Sequence, residues 1–345
     1  MPPMKIYFLL MLCLLLAFSW AGIESALGRE ITDMAGRKVI VPNIIKTAYA
    51  PSPYGFAILY SVAPETLTGV MFPIRDADKP YLLPYVHDLP VLGRLSNTEA
   101  IVKANPDVLI VWGDKNGPLH RRSEEILGKL DIPYVYVCVG DLADLADYPD
   151  AYAFLGRVFG KEEKTAKLAD WCRQALEEAT ATLKTIPQAH RPKVYYAEGK
   201  DGLSTEYDDS LHVHLLRLAG DVNVHCGHTS SHMGLEPVTI DQVKAYAPDV
   251  IIAQDKDFVA AVQNDPKWRD IKAVRNKRVH LIPRAPFNWF DRPPSFMRIL
   301  GLKWLMHRLY PETYKVDLVK ETRDFYGLFL GISLSAEEAG RIIGH

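Results

Sequence analysis

The chain is 345 residues long, 48% hydrophobic and 24% charged, with a formal net charge of −2 at pH 7. So even a balance gives no electrostatic reason to bind nucleic acid or an acidic membrane surface, and the length exceeds what one hydrophobic core usually organises. Of the four cysteines, Cys13 falls in an apolar leader, and Cys138, Cys172 and Cys226 are an odd set that cannot build a full disulfide framework.

In chain order, Lys5 is followed by an apolar run from Ile6 to Trp20 and then by Ala26-Leu27-Gly28, a small-x-small cleavage signature. The run is shorter than the roughly 18–20 residues that span a bilayer. Residues 1–28 therefore read as a signal peptide cut after Gly28, with the site after Ala21 second, which leaves a secreted chain with no membrane anchor. A lobe at residues 29–157 starts with the hairpin signal Ile31 to Arg37 and the apolar stretches Val39-Ile40-Val41 and Ala48-Tyr49-Ala50. Residues 99–112, EAIVKANPDVLIVW, then recur in outline at 241–254 as DQVKAYAPDVIIAQ. Each copy is an amphipathic helix that stops at Pro-Asp and feeds a short β-branched run, as expected of a strand buried in a parallel sheet.

From Lys161 to Leu183 the chain carries few helix breakers, which predicts one helix of roughly 34 Å at 1.5 Å per residue. It forms the middle of a linker at residues 158–186. A second lobe, residues 187–345, opens on Lys193 to Ala197, contains the second repeat and Arg278 to Ile282, and ends in helices near 296–310 and 318–330. The fold class is thus α/β, two Rossmann-like lobes with parallel sheets joined by one long helix.

Ligands of open α/β sheets sit beyond the carboxyl ends of the strands. That rule selects Ser52 and Tyr54 after one strand, Arg94 and Ser96 before the repeat helix, Trp112 after the repeat strand, and Tyr207 in the second lobe. It also selects the loop Gln254-Asp255-Lys256 and the segment from Arg284 to Pro294. Three prolines stiffen that segment, and its Phe287, Trp289 and Phe290 seem too many to bury in so short a loop, so Trp289, Phe290, Arg284 and Arg292 are expected to face a ligand that is part apolar and part anionic. Five of the eleven histidines lie between 212 and 232. His212 and His214 fall two apart on a predicted helix and diverge by about 200°, whereas His225, His228 and His232 share a Gly- and Ser-rich loop and are candidate metal ligands.

The segments ITDMAGRKVIVP, LGRLSNTEAIVKANPDVLIVW, LLRLAGDVNV, AYAPDVIIAQD and WRDIKAVRNKRVHLIP together resemble the helical-backbone class of periplasmic substrate-binding proteins. Their importers carry iron-siderophores, haem, cobalamin, metals or oxyanions. The resemblance covers the chain from about Ile31 to Tyr310. It implies an ABC-importer permease and its ATPase as partners, no resident cofactor, and an acid at the start of each repeat helix that docks on the permease: Glu99 in the first lobe and Asp241 in the second, with Glu236 as the rival to Asp241. On residue chemistry a metal chelate such as a ferric siderophore ranks first as ligand. Haem, free Ni, Co or Zn, and an oxyanion such as molybdate follow. G-x-S-x-G, H-E-x-x-H, C-x-x-C, P-loop and G-x-G-x-x-G signatures are all missing, which favours capture without conversion over the rival from another class, a secreted metalloenzyme built on His225, His228 and His232.

Overall fold

The computed structural model describes residues 28–113, 118–137, 144–220, 222–229 and 234–344. Residues 1–27 of the predicted leader, Cys138 and His232 lie outside them.

Two three-stranded parallel sheets organise the molecule. In the first lobe β3 (Ala48–Tyr49), β4 (Val108–Trp112) and β5 (Tyr134–Val137) lie in the order β3-β4-β5, and in the second β6 (Val194–Ala197), β9 (Val250–Ala253) and β10 (Val279–Leu281) lie in the order β10-β9-β6. The repeat strands β4 and β9 are thus the central strand of each sheet, and every residue in them is buried. An antiparallel hairpin, β1 (Arg29–Thr32) and β2 (Lys38–Val41), precedes the first sheet. Its turn residue Asp33 anchors it on β5 by accepting Tyr136 N at 3.1 Å. A short ladder of β7 (Ser204–Thr205) and β8 (Glu236–Pro237) edges the second lobe.

The Pro-Asp turns of the two repeats are built alike. Helices Thr98–Ala104 and Ile240–Tyr246 end on left-handed residues, Asn105 at φ 46° and Ala247 at φ 47°, and the proline that follows cannot continue the helix. The aspartate then ties the turn to the edge of the neighbouring strand. Asp107 Oδ2 accepts Lys46 N at 2.7 Å and Thr47 N at 2.9 Å, and Asp249 Oδ2 accepts Lys193 N at 2.9 Å.

Between the lobes runs the 23-residue helix Glu162–Lys184, one residue displaced from the predicted limits. Its buried side chains Thr165, Leu168, Ala169, Cys172, Ala175 and Ala179 recur at three- and four-residue spacing and form one apolar stripe. Cys172 is accordingly core filler, as its place in the pattern suggests. Opposite that stripe lies helix Met297–Leu309, whose buried Lys303 pairs with Glu178 at 2.9 Å and Glu321 at 3.1 Å. The terminal helices touch both lobes. Tyr60 Oη donates to Leu330 O at 2.9 Å, and Tyr326 Oη donates to Ala285 O. One apolar core therefore continues from the first sheet through the bridging helix into the second.

Candidate ligand cleft

A cavity of about 490 Å³ opens between the lobes, lined from both of them. The first lobe contributes Phe56, residues 70–75 and Arg94, and the second contributes Arg284, Phe287, Asn288, Arg292 and Ser295. Helix Pro53–Val62 brings Phe56 to the wall. Ser52 caps that helix by accepting Gly55 N at 3.0 Å, and a Cβ on Gly55 would meet Ser52 Oγ at 2.9 Å.

The lobe-two wall is a rigid loop. Asn288 Oδ1 accepts Phe290 N at 2.8 Å and Asp291 N at 3.0 Å, while its amide donates to Gln254 Oε1 at 2.7 Å. Gln254 in turn donates to Tyr196 Oη at 2.6 Å. The expectation that Trp289 and Phe290 face the ligand does not hold, because they are 0% and 1% exposed. Phe290 stacks on Tyr196 with ring centroids 5.1 Å apart. What lets the loop sink is Gly301 on the helix beneath, where any Cβ would lie 1.8 Å from Trp289 O. Of the three aromatics only Phe287 reaches the cavity, edge-on to Phe56 at 6.1 Å.

Four guanidinium groups line the cavity, and their partners differ. Arg75 is paired with Asp78 at 2.6 Å. Arg292, at a left-handed φ of 64°, bridges two buried acids, Glu198 at 2.5 Å and Glu206 at 2.5 Å. Glu206 is satisfied further by Ser210 Oγ at 2.8 Å and Leu235 N at 2.9 Å. Burial pushes Glu198 up to about 7, opposed by the Arg292 guanidinium and reinforced by Glu206. Arg94 and Arg284 stand apart: one from each lobe, both exposed, neither in an ion pair among the described residues. A single hydrogen bond, Nη1 to Gln254 O at 3.0 Å, orients Arg284.

Behind the cavity a polar seam joins the lobes. Tyr54 stacks on Trp112 with centroids 5.9 Å apart, and Trp112 packs on Tyr148 at 6.0 Å. Facing them, buried Arg298 donates to His214 Nδ1 at 2.9 Å, and Asp291 pairs with His212. His214 Nε2 also lies 3.6 Å from Asp144 of the first lobe. His212 and His214 therefore serve separate partners, as their two-residue spacing predicts. Burial pushes the Tyr54 hydroxyl up to about 12, with Asp291 adding to it, and pushes His214 down to about 4, with Arg298 adding to that.

The remaining predicted residues scatter. Ser96 is exposed beyond Arg94. Tyr207 stacks on His225 at 4.2 Å, and His225 Nδ1 shares a hydrogen bond of 2.9 Å with Tyr246 Oη. That ring is packed inside the second lobe, and burial lowers its pKa. His228 is fully exposed beside Asp209 at 3.2 Å. Among the described residues no three His, Cys, Asp or Glu side chains are placed to hold a metal ion. Sequence reasoning passed over Arg75, Phe72 and Ile74, although residues 70–75 join a run of apolar side chains to an arginine directly after a strand-like bridge at Val70.

A profile of the periplasmic binding protein family matches residues 76–286. The chain belongs to that family. Over 98% of its length and the whole of the relative, it is 26% identical to the molybdate-binding protein MolA of Haemophilus influenzae. An ABC transporter solute-binding protein from Sulfurospirillum deleyianum superposes with a TM-score of 0.84 at 37% identity, covering 92% of this chain and 99% of that one. The molybdate-bound structure of H. influenzae MolA gives 0.70 at 24% identity, covering 89% and 99%. These relatives are binding proteins, and proteins of this family work in the periplasm with ABC permeases and ATPases.

In this family member Glu99 and Asp241 lie in the first turns of the two repeat helices, exposed and without an ion pair among the described residues. Glu236 sits instead in the β7–β8 ladder, opposite Thr205 and half-buried.

Proposed function

We propose that this binding protein captures an anionic solute between its lobes and delivers it to an ABC importer, with Arg94 and Arg284 as the two cations that close on it. The supporting observation is the charge inventory of the cavity. Arg75 and Arg292 are already neutralised by acids, whereas Arg94 and Arg284 face the space from opposite lobes with none. Guanidinium forks match tetrahedral oxyanions and carboxylates, and a cation on each lobe makes closure favourable only when an anion lies between.

Among anions, the full-length similarity to a molybdate-binding protein puts a molybdate-type oxyanion ahead of the chelate that residue chemistry alone ranks first. The chelate stays as a second reading for one reason. A cavity of about 490 Å³ walled by Phe56, Phe72, Ile74 and Phe287 is far larger than a bare oxyanion, and an organic shell would cover its apolar side. Titration calorimetry with molybdate and with a ferric siderophore separates the two. Arg94→Ala and Arg284→Ala should each weaken the bound species about tenfold or more, the scale of one charge-assisted hydrogen bond. Unchanged affinity in both variants would overturn the anion reading.

The same proposal includes export by cleavage after Gly28, lobes at 29–157 and 187–345 on a linker at 158–186, and docking of the permease on Glu99 and Asp241.

A further inference from the structure

A second cavity, of about 530 Å³, adjoins the first and shares Arg75 and Arg284 with it. Its other walls come from the loop after β9 (Asp255, Lys256 and Asp257), from residues 281–283, and from Arg341 on helix Ala336–Ile343. Most of its charges are already committed. Arg75 pairs with Asp78 at 2.6 Å, Arg341 with Glu337 at 2.5 Å, and Asp257 with Lys200 at 3.3 Å, while Asp255 accepts Asp257 N at 2.8 Å. Lys256 and Arg284 are left, with no ion pair among the described residues. They are held close together, because Arg284 donates to the carbonyl of Gln254, two residues before Lys256.

From this arrangement we propose that the second cavity is an anion subsite, in which Arg284 and Lys256 take a carboxylate or phosphate group of a ligand whose main charge lies between Arg94 and Arg284. This rests on the anion reading of the cleft and goes beyond it. A bare tetrahedral oxyanion is too small to occupy both spaces, so the subsite serves ligands with a second anionic group. Arg284 is the shared wall, offering different N–H groups to either side.

The test uses three probes on the full mature chain: citrate, whose carboxylates can lie on both sides of Arg284, inorganic phosphate, and molybdate. Calorimetry is run on wild type, Lys256→Gln, Lys256→Glu and Arg94→Ala, with melting curves to show that each variant is folded. Citrate should bind wild type and lose at least tenfold in affinity in Lys256→Glu, less in Lys256→Gln, while molybdate is held equally by all three. Phosphate weakened alongside citrate would mark the subsite as a general oxyanion receptor, and citrate weakened alone would mark it as a carboxylate receptor. Either result supports the assignment. Citrate affinity unchanged by Lys256→Glu, or no binding of citrate and phosphate to wild type, overturns it. Molybdate binding that ignores Arg94→Ala sinks the cleft reading instead, whatever citrate does.

Discussion

Arg292 carries the right charge for an anion receptor, and sequence reasoning selects it for that role, yet two buried carboxylates already hold it. A guanidinium so placed stabilises its own loop before it can serve a ligand, because removing it would strand Glu198 and Glu206 without a counter-charge. Glu198 bears the consequence, since burial raises its pKa from the ordinary 4.5 to about 7. A carboxyl raised on folding holds its proton more tightly in the native state. Its contribution is therefore fully present below about pH 4.5 and is lost as the pH climbs through 7. Glu198→Gln removes that slope, so between those limits the variant should gain in melting temperature relative to wild type as the pH rises. A difference that stays flat would place the proton elsewhere. Arg94 and Arg284 were legible in the sequence because both lie where strands end. The fate of Trp289 and Phe290 was not, because it depends on a missing side chain at Gly301, on an element that the loop meets only in three dimensions.

At the level of elements, the duplicated helix-turn-strand explains most of what could be read in advance. Pro-Asp recurs because each half of the motif does something specific: proline stops the helix, and aspartate pairs with the backbone N–H groups where β3 or β6 begins. Asp107→Ala strands two such donors and should cost about 1–3 kcal/mol in urea unfolding. Asp249→Ala strands one and also frees Lys272, its partner at 2.6 Å, so its effect should fall at the lower end. A loss below about 0.5 kcal/mol in both would show that the turn stands without the carboxylate. The bridging helix was equally legible, since its apolar spacing and absence of breakers are local properties. The short β7–β8 ladder was not, because its two-residue strands carry no periodic signal and pair only through the loop that wraps Glu206.

Across the whole molecule, the lobes share one apolar core through the bridging helix and the C-terminal helices. Large-amplitude opening would break the Tyr60 and Tyr326 hydrogen bonds to distant carbonyls, so closure is expected to be a small rocking motion that brings Arg94 toward Arg284. Recognition by the permease then falls to surface features that leave the cleft untouched. Glu99→Ala with Asp241→Ala should abolish uptake in cells while ligand affinity stays within about twofold, and uptake that survives the double change would remove both acids from the docking role. The most direct measurement is a crystal structure of the protein grown with molybdate, with anomalous scattering collected at the molybdenum edge. The account predicts a peak in the inter-lobe cavity within hydrogen-bonding reach of both the Arg94 and Arg284 guanidinium groups. A peak at the His225–His228 loop instead, or an anion held by only one lobe, would contradict it.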